Sequence, residues 1–261
     1  MSECDVQNST MLLLSAICWN LKQPYRLLTN VAYFFKTFIG NYFHSNTGFS
    51  IGFTGPDGSG KSTVIDLLIK NLGDVFRKAH AYYHFRPALF GNLGEVAYSA
   101  GIKKNVDRDY NNPHRGNKTG MLSSLLRLLY YAIDYIIGYW IKVKSVTRLT
   151  RIVVFDRYYT DIICDSRRSR IYLSVKFLYG FGKIFIPSLN YNILLTASPQ
   201  VILARKVELN AEDIENINQK IDYLTSKKGY YKVLNERTPQ EAVAEILRIV
   251  FDEQHKKKLK R

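Results

Sequence analysis

Cysteine is scarce in this chain of 261 residues, which has three cysteines, three methionines and two tryptophans. Cys4, Cys18 and Cys164 form neither a CxxC pair nor a metal-type cluster. Such spacing argues against a disulfide framework and against a zinc site. We therefore expect a reduced, cytoplasmic setting.

Long apolar runs are scarce as well. The first five residues are acidic and lack the basic region of a signal peptide. The run from Met11 to Trp19 is followed by Lys22 and Pro24, whereas a bilayer span takes about 20 apolar residues. We expect neither a signal peptide nor a transmembrane helix.

Acidic residues are outnumbered, since Asp and Glu total 22 against 37 Lys and Arg, for a formal net charge of +15. This excess favours an anionic partner, such as a nucleotide, a polyanionic substrate, an anionic membrane surface or nucleic acid. The apolar share of 46% and the charged share of 23% are typical of a globular protein. The length suits one α/β domain with an accessory segment.

Three zones are predicted along the chain: an N-terminal helical segment (1–47), a central domain (48–252) and a basic, solvated tail (253–261). In the first zone large apolar residues recur at helical spacing, namely Leu27, Leu28, Val31, Phe34, Phe35, Phe38 and Tyr42. This segment is expected either to pack on the central domain or to lie as an amphipathic helix in a membrane interface.

Short apolar runs alternate with helical patterns in the central zone. Strands are predicted at Phe49–Thr54, Ala79–Phe85, Ile152–Phe155, Tyr191–Thr196 and Tyr231–Leu234. Helices are predicted at Ser62–Leu72, Met121–Val146, Pro199–Leu209, Ala211–Ser226 and Pro239–Phe251, and residues 91–120 are expected to form a loop. This alternation predicts a three-layer α/β fold with a mainly parallel five-stranded sheet.

A Walker A motif, or P-loop, follows the first strand. The sequence Gly55-Pro56-Asp57-Gly58-Ser59-Gly60-Lys61-Ser62-Thr63 matches G-x-x-x-x-G-K-[ST], and a helix begins after it. In such a loop glycines let successive N–H groups point at phosphate oxygens, and the helix N-terminus adds positive potential. We predict that these nine residues bind ATP, with Lys61 on the β- and γ-phosphates and the Ser62 hydroxyl on Mg²⁺.

A carboxylate at the end of a buried strand is the second phosphate-site signal. Asp156 directly follows the apolar run Ile152–Phe155, which is the Walker B arrangement for holding Mg²⁺. The carboxyl ends of parallel strands meet at the crevice where ligands bind, so Asp156 should lie near the P-loop. The alternative is that Asp156 only caps a helix and pairs with Arg157.

The string from Phe53 to Thr63, followed by Asp156-Arg157-Tyr158, resembles thymidylate kinase over roughly residues 48–252. The segments His84–Pro87, Leu125–Tyr135 and Phe155–Asp161 are similar to a branch of that family often encoded with bacterial surface-polysaccharide genes. The resemblance implies a nucleoside-monophosphate-kinase-like fold and transfer of the γ-phosphate of ATP to thymidylate or another small molecule, such as a sugar.

Arginines are predicted to supply the positive charge that phosphoryl transfer needs. The resemblance places Arg157 and Arg86 on the acceptor side and Arg205 near a lid, where it would neutralise the transition state. Arg127, on the long helix, is a further candidate for the acceptor pocket. The alternatives are a solvated helix turn for Arg205 and, for Arg127, an ion pair with Asp134 or with a neighbour on the surface.

The residues after Asp156 are the other candidates for the acceptor site. Tyr158 and Asp161 are predicted to contact the acceptor, and Asp57 joins Lys61, Arg157 and Arg205 in the candidate catalytic set. Asp161 and Asp165 suit an acceptor hydroxyl, as a general base or as hydrogen-bond acceptors, or they pair with Arg157 or Arg167. The run Arg167-Arg168-Ser169-Arg170 is expected to be a solvated loop, and the alternative is that it binds an anionic substrate.

Two rival functions remain open at this point. One is a nucleotide-binding regulatory or scaffold protein of a polysaccharide-assembly system, with little or no kinase activity. The other is a nucleic-acid-binding protein, which only the charge suggests, and we expect no specific nucleic-acid binding. A homodimer and peripheral association with the inner face of a membrane through the N-terminal segment are also left open.

Overall fold

The computed structural model describes Thr29, Ala32 and residues 48–76, 80–87, 89–90, 120–148, 151–206 and 208–259. The chain divides into two compact units, Met1–Asn46 and Thr47–Arg261, and the following account concerns the second. The N-terminal helical segment lies outside the described residues except for Thr29 and Ala32, which are helical and exposed. The predicted loop at 91–120 lies outside them apart from Gly120.

Five parallel strands form a single sheet in the order β2-β3-β1-β4-β5. They are β1 (Phe49–Thr54), β2 (His80–His84), β3 (Ile152–Asp156), β4 (Tyr191–Thr196) and β5 (Tyr230–Leu234). The central strand β1 pairs with β3 on one side and β4 on the other, so Phe53 stands opposite Asp156 and Ile193. The loop after β1 therefore opens into the crevice where the strand order changes direction, and the predicted five-stranded parallel sheet is confirmed.

Helices cover both faces of the sheet. They are α1 (Lys61–Phe76), α2 (Met121–Gly138), α3 (Ser145–Arg148), α4 (Tyr159–Cys164), α5 (Ser166–Ser169), α6 (Val175–Phe185), α7 (Pro199–Arg205), α8 (Ala211–Thr225) and α9 (Pro239–Leu259). A π-helical segment, Tyr139–Lys144, joins α2 to α3.

Two apolar clusters lie on opposite faces of the sheet. Along β3, Val153 and Phe155 belong to one cluster, whereas Ile152 and Val154 belong to the other. This follows from the two-residue period of a strand. Full burial of both faces explains why the predicted strands are continuous apolar runs rather than alternating ones.

Two predicted helices end at other positions. The helix from Pro199 ends at Arg205 rather than Leu209, because Asn210 caps the next helix and accepts a hydrogen bond from the Asp213 N–H at 2.7 Å. The last helix continues to Leu259, so residues 253–259 extend a helix instead of forming a separate tail. The Glu253–Lys256 ion pair at 2.9 Å and the cations near the C-terminus both favour that extension.

The long helix α2 turns one of its apolar sides to the core. Leu128 and Tyr135 are buried on that side, whereas Leu122 and Leu129 are exposed. The helix is apolar nearly all round, so periodicity cannot choose the side. Polar anchors decide it: the buried Asp134 accepts hydrogen bonds from the Leu89 and Phe90 N–H groups at 2.7 and 3.0 Å.

Candidate functional site

The P-loop connects β1 to α1 and is closely surrounded by backbone. Gly60 has φ +83°, where an L side chain is strained, and a Cβ there would lie 2.4 Å from Asn235 Nδ2. A Cβ at Gly55 would lie 1.9 Å from the Leu195 carbonyl oxygen on β4. These positions exclude side chains for steric reasons.

Lys61 is buried at the start of α1. Its Nζ donates hydrogen bonds to the Gly55 and Pro56 carbonyl oxygens at 2.9 and 2.8 Å and lies 3.9 Å from Asp57 Oδ1. Burial, followed by repulsion from Arg157, lowers the pKa of Lys61 to about 8. The ammonium group is thus held inside the loop by carbonyl oxygens that a phosphate could replace.

Asp156 ends β3 beside β1 and has one oxygen without a protein partner. Its Oδ2 accepts a hydrogen bond from the Tyr82 hydroxyl at 3.2 Å and lies 3.7 Å from His84 Nε2. Its Oδ1 is buried and has no hydrogen-bond partner. Oxygen ligands suit Mg²⁺, so Asp156 Oδ1 and the exposed Ser62 hydroxyl fit the roles predicted for them.

Strained backbone flanks Asp156. Phe85 and Arg157 are non-glycine residues with φ of 66° and 73°, a conformation that costs about 1–3 kcal/mol each. Hydrogen bonds hold both, from the Phe85 N–H to the Asp156 carbonyl oxygen at 2.7 Å and from the Arg157 N–H to the Phe53 carbonyl oxygen at 2.9 Å. The Arg157 guanidinium lies 5.1 Å from the centre of the Phe85 ring. The hydrogen bond to Phe53 and the contact with Asp57 hold Arg157 beside the P-loop.

A buried charge cluster connects the P-loop to α4 and α5. Arg157 Nη2 and Arg168 Nη2 each contact a different oxygen of Asp57. Asp161 Oδ1 lies 3.5 Å from Arg157 Nε, and Asp161 Oδ2 lies 3.3 Å from Arg168 Nη1. Asp165 Oδ2 lies 3.3 Å from Arg168 Nη2. Three carboxylates therefore share two guanidinium groups, and we name these five residues the Asp57 cluster.

Burial sets the protonation chemistry of the Asp57 cluster. It raises the pKa of Asp161, against the opposing effect of Arg168 and Arg157. Burial by itself lowers the pKa of Arg168, but the nearby Asp161, Asp165 and Asp57 more than reverse this and leave the pKa above its usual value. Asp161 and Asp165 thus pair with arginines, as one alternative predicted, but Asp165 pairs with Arg168 rather than Arg167.

Arg205 and Asn235 support the P-loop from the other side. The Asn235 Nδ2 donates to the Ser59 carbonyl oxygen at 2.8 Å, and Arg205 Nη1 donates to the Asn235 carbonyl oxygen at 2.8 Å. Arg205 Nη1 is also 3.7 Å from the position of a Cβ on Gly60. The structure therefore brings the exposed Arg205 close to the P-loop, and its role at a lid stays a prediction.

Arg86 is held in a buried ion pair. Its Nη1 donates to Asp134 Oδ2 at 3.1 Å, and its guanidinium lies 4.8 Å from the centre of the Tyr131 ring. The alternative that Arg127 pairs with Asp134 is therefore wrong. The ion pair with Asp134 balances the charge of Arg86 and connects the segment after β2 to α2, and contact of Arg86 with an acceptor stays a prediction.

Two other predicted acceptor residues lie apart from the Asp57 cluster. Tyr158 is buried in the core, packs against Tyr135 with ring centres 4.8 Å apart, and donates its hydroxyl to the Pro187 carbonyl oxygen at 2.9 Å. The Arg127 Nε is buried without a hydrogen-bond partner. No hydrogen bond or ion pair described for the chain joins Arg127 to the P-loop.

Sequence reasoning missed Arg168, Asn235 and Tyr82. The basic run at 167–170 suggested a solvated loop, yet the Arg168 side chain is 6% exposed. The aspartates Asp57, Asp161 and Asp165 could have indicated that Arg168 is buried, since buried carboxylates need cations. Nothing in the sequence pattern marks Asn235 or Tyr82.

The sequence matches no family model, and no curated protein matches it. Among solved structures, the crystal structure of thymidylate kinase from Ehrlichia chaffeensis is similar, with a TM-score of 0.52 and 14% sequence identity. The likeness covers 78% of this chain and 98% of the other. The chain has a thymidylate-kinase P-loop fold. At this identity the likeness concerns the fold alone, and function has to be argued from the site.

Proposed function

We propose that this chain is an ATP- and Mg²⁺-dependent phosphotransferase that transfers the γ-phosphate of ATP to a small molecule. The observation that carries the proposal is the convergence at one crevice of the P-loop lysine Lys61, the partnerless oxygen of Asp156 and the guanidinium of Arg157. Phosphoryl transfer needs little covalent chemistry from the protein, so positioning and charge are sufficient.

Each group then has a definite task. Lys61 leaves the Gly55 and Pro56 carbonyls and binds the β- and γ-phosphates, together with the loop N–H groups. The Ser62 hydroxyl and Asp156 would hold Mg²⁺, which when bound neutralises phosphate charge. Arg205, beside Gly60, is positioned to balance charge that develops on the transferred group.

The charge at the acceptor side favours a neutral hydroxyl acceptor over a phosphorylated one. The three carboxylates of the Asp57 cluster are already matched by its two guanidinium groups and by the Lys61 ammonium, 3.9 Å from Asp57 Oδ1, and Arg86 is balanced by Asp134. A nucleoside monophosphate would bring about two further negative charges to it. A hydroxyl acceptor gains from a carboxylate that accepts its proton, and the raised pKa of Asp161 suits a general base. A sugar is one acceptor of this kind.

The test is transfer of label from γ-labelled ATP with Mg²⁺ to a panel of nucleoside monophosphates, nucleosides and sugars. We expect a labelled sugar or another hydroxyl product that Lys61→Ala does not form. Thymidine monophosphate should be a poor phosphate acceptor, with kcat/KM below about 10⁴ M⁻¹s⁻¹. A higher value would restore thymidylate as the acceptor, and no transfer to any acceptor would reject a kinase.

A nucleotide-binding regulatory protein is the second candidate. It is favoured by the pairing of Arg157 and Arg168 with the carboxylates of the Asp57 cluster and of Arg86 with Asp134, which leaves none of these three arginines without a counterion. Tight ATP binding without transfer in a single-turnover experiment would support this candidate. A homodimer, a cytoplasmic location and membrane contact through residues 1–47 remain predictions.

A further inference from the structure

The carboxylate proposed to hold Mg²⁺ has a hydrogen-bond donor on the neighbouring strand. Tyr82 of β2 lies opposite Val154 of β3, and His84 lies opposite Asp156. Paired residues of two parallel strands point to the same face of the sheet, and every second residue of a strand shares that face. The Tyr82 side chain therefore starts two residues before Asp156, about 6.6 Å along the strand direction. Its hydroxyl spans this distance and donates to Asp156 Oδ2 at 3.2 Å.

The Tyr82 ring contributes little to the protein core. Its strand, β2, lies at an edge of the sheet, and Tyr82 is 45% exposed. The adjacent Tyr83 points to the other face, stacks on Phe155 with ring centres 5.3 Å apart and packs against an apolar cluster. Packing therefore explains Tyr83 but not Tyr82. The contact that distinguishes Tyr82 is its hydrogen bond to Asp156, which is buried.

This hydrogen bond makes the two oxygens of the Asp156 carboxylate different. Oδ2 accepts from the Tyr82 hydroxyl, whereas Oδ1 is buried and has no hydrogen-bond partner among the residues that the structure describes. His84 Nε2 lies 3.7 Å from Oδ2, which is beyond hydrogen-bond range. A phenol keeps its proton at neutral pH, so Tyr82 is a donor under ordinary conditions. Carboxylates that bind metals are themselves oriented by hydrogen bonds of this kind.

We propose that Tyr82 is the positioning residue of the Mg²⁺ site: its hydroxyl holds Asp156 Oδ2 and thereby presents Oδ1 to the metal. Without this hydrogen bond the carboxylate rotates more freely about its last side-chain bond, because that torsion has broad minima. Mg²⁺ demands near-octahedral geometry, so its binding is sensitive to a misplaced oxygen. The inference rests on the proposed function, because it needs Asp156 to bind Mg²⁺.

The experiment is to measure the dissociation constant for ATP over a range of Mg²⁺ concentrations, with Tyr82→Phe as the test variant. This substitution removes the hydroxyl and keeps the ring. We expect the Mg²⁺ concentration that gives half of the tightening to rise about tenfold or more, whereas ATP binding without Mg²⁺ changes less than about twofold. The matched control Tyr83→Phe removes a hydroxyl from the other face of β2 and should respond to Mg²⁺ like the unchanged chain.

A double variant separates positioning from a general structural role. If Tyr82 acts through Asp156, adding Tyr82→Phe to Asp156→Asn should not weaken ATP binding further at any Mg²⁺ concentration. Additive losses in the double variant would overturn the inference, as would an unaltered Mg²⁺ response in Tyr82→Phe, and both results leave the proposed function intact. If ATP binding by the unchanged chain did not respond to Mg²⁺, the proposed Mg²⁺ dependence would be rejected together with this inference.

Discussion

Arg168 on α5 contacts the carboxylate of Asp57 in the P-loop, 111 positions earlier in the chain. The same guanidinium lies 3.3 Å from Asp161 and 3.3 Å from Asp165. One buried cation thus joins the phosphate-binding loop to the helices that follow β3. A substitution in the P-loop should therefore affect the helices α4 and α5, and a substitution in these helices should affect the P-loop.

Replacing Arg168 with Gln should lower the free energy of unfolding by about 3–5 kcal/mol, because buried carboxylates lose their counterion. The matched control is Arg167→Gln, since the Arg167 side chain is 49% exposed and pairs with Asp213 on the surface. The control should cost less than about 1 kcal/mol. Urea unfolding at neutral pH measures the free energy of unfolding of both variants. Equal losses in the two variants would contradict the role of Arg168 as the buried counterion of the Asp57 cluster.

Nucleotide binding should weaken as the pH rises above about 8, the value to which burial lowers the pKa of Lys61. Phosphate favours the charged ammonium, so above that pKa each binding event must also take up a proton. We expect the dissociation constant for ATP to rise by up to about tenfold per pH unit. Calorimetric titration between about pH 7.5 and 9.5 measures this.

Lys61→Arg is the control for this pH dependence. An arginine keeps its charge to above about pH 12, so its profile should be flat. The pH dependence of stability has the opposite sign: an unfolded lysine, with a pKa of 10.5, holds its proton when the folded one has lost it. Between about pH 8 and 10.5 the Lys61 contribution to stability therefore increases with pH. If the dissociation constant for ATP depended on pH in the same way in Lys61→Arg and in the unchanged chain, the titration would belong to another group.

Asp156→Asn should remove the response of nucleotide binding to Mg²⁺. The substitution keeps the shape of the side chain and an oxygen acceptor but removes the negative charge that binds the metal. In the unchanged chain Mg²⁺ should tighten ATP binding, and chelation should reverse this. The control Asp66→Asn changes an exposed aspartate on α1 and should leave the response intact. A full Mg²⁺ response in Asp156→Asn would exclude this carboxylate as a ligand.

A chain beginning at Thr47 should still bind ATP. Thr47–Arg261 is a compact unit by itself and contains the P-loop and Asp156. We expect the dissociation constant for ATP to change by less than about threefold, because no predicted phosphate ligand precedes Gly55. Circular dichroism establishes whether the shortened chain folds. Loss of ATP binding by a folded shortened chain would show that residues before Thr47 support the site.

The order of strands and helices was predictable because it depends on local patterns. The buried strand β1 and the Walker A motif after it are a contiguous signal, and so is Asp156 after β3. The helix α6 was not predicted at all. The side of α2 that faces the core could not be predicted, because Leu122 and Leu128 are equally apolar and only the contacts of Asp134 distinguish the two sides.

The sequence by itself determined the parallel sheet, the phosphate-binding loop and the strand that carries Asp156, since each depends on residues adjacent in the chain. Only the tertiary structure decided which charged side chains pair with each other. Arg168 is buried against Asp57, whereas the charge of Arg86 is balanced by Asp134. Tyr158 is buried in the core and donates its hydroxyl to Pro187. These outcomes depend on distances between residues far apart in sequence, and the strength of a charge interaction depends on that distance and on burial.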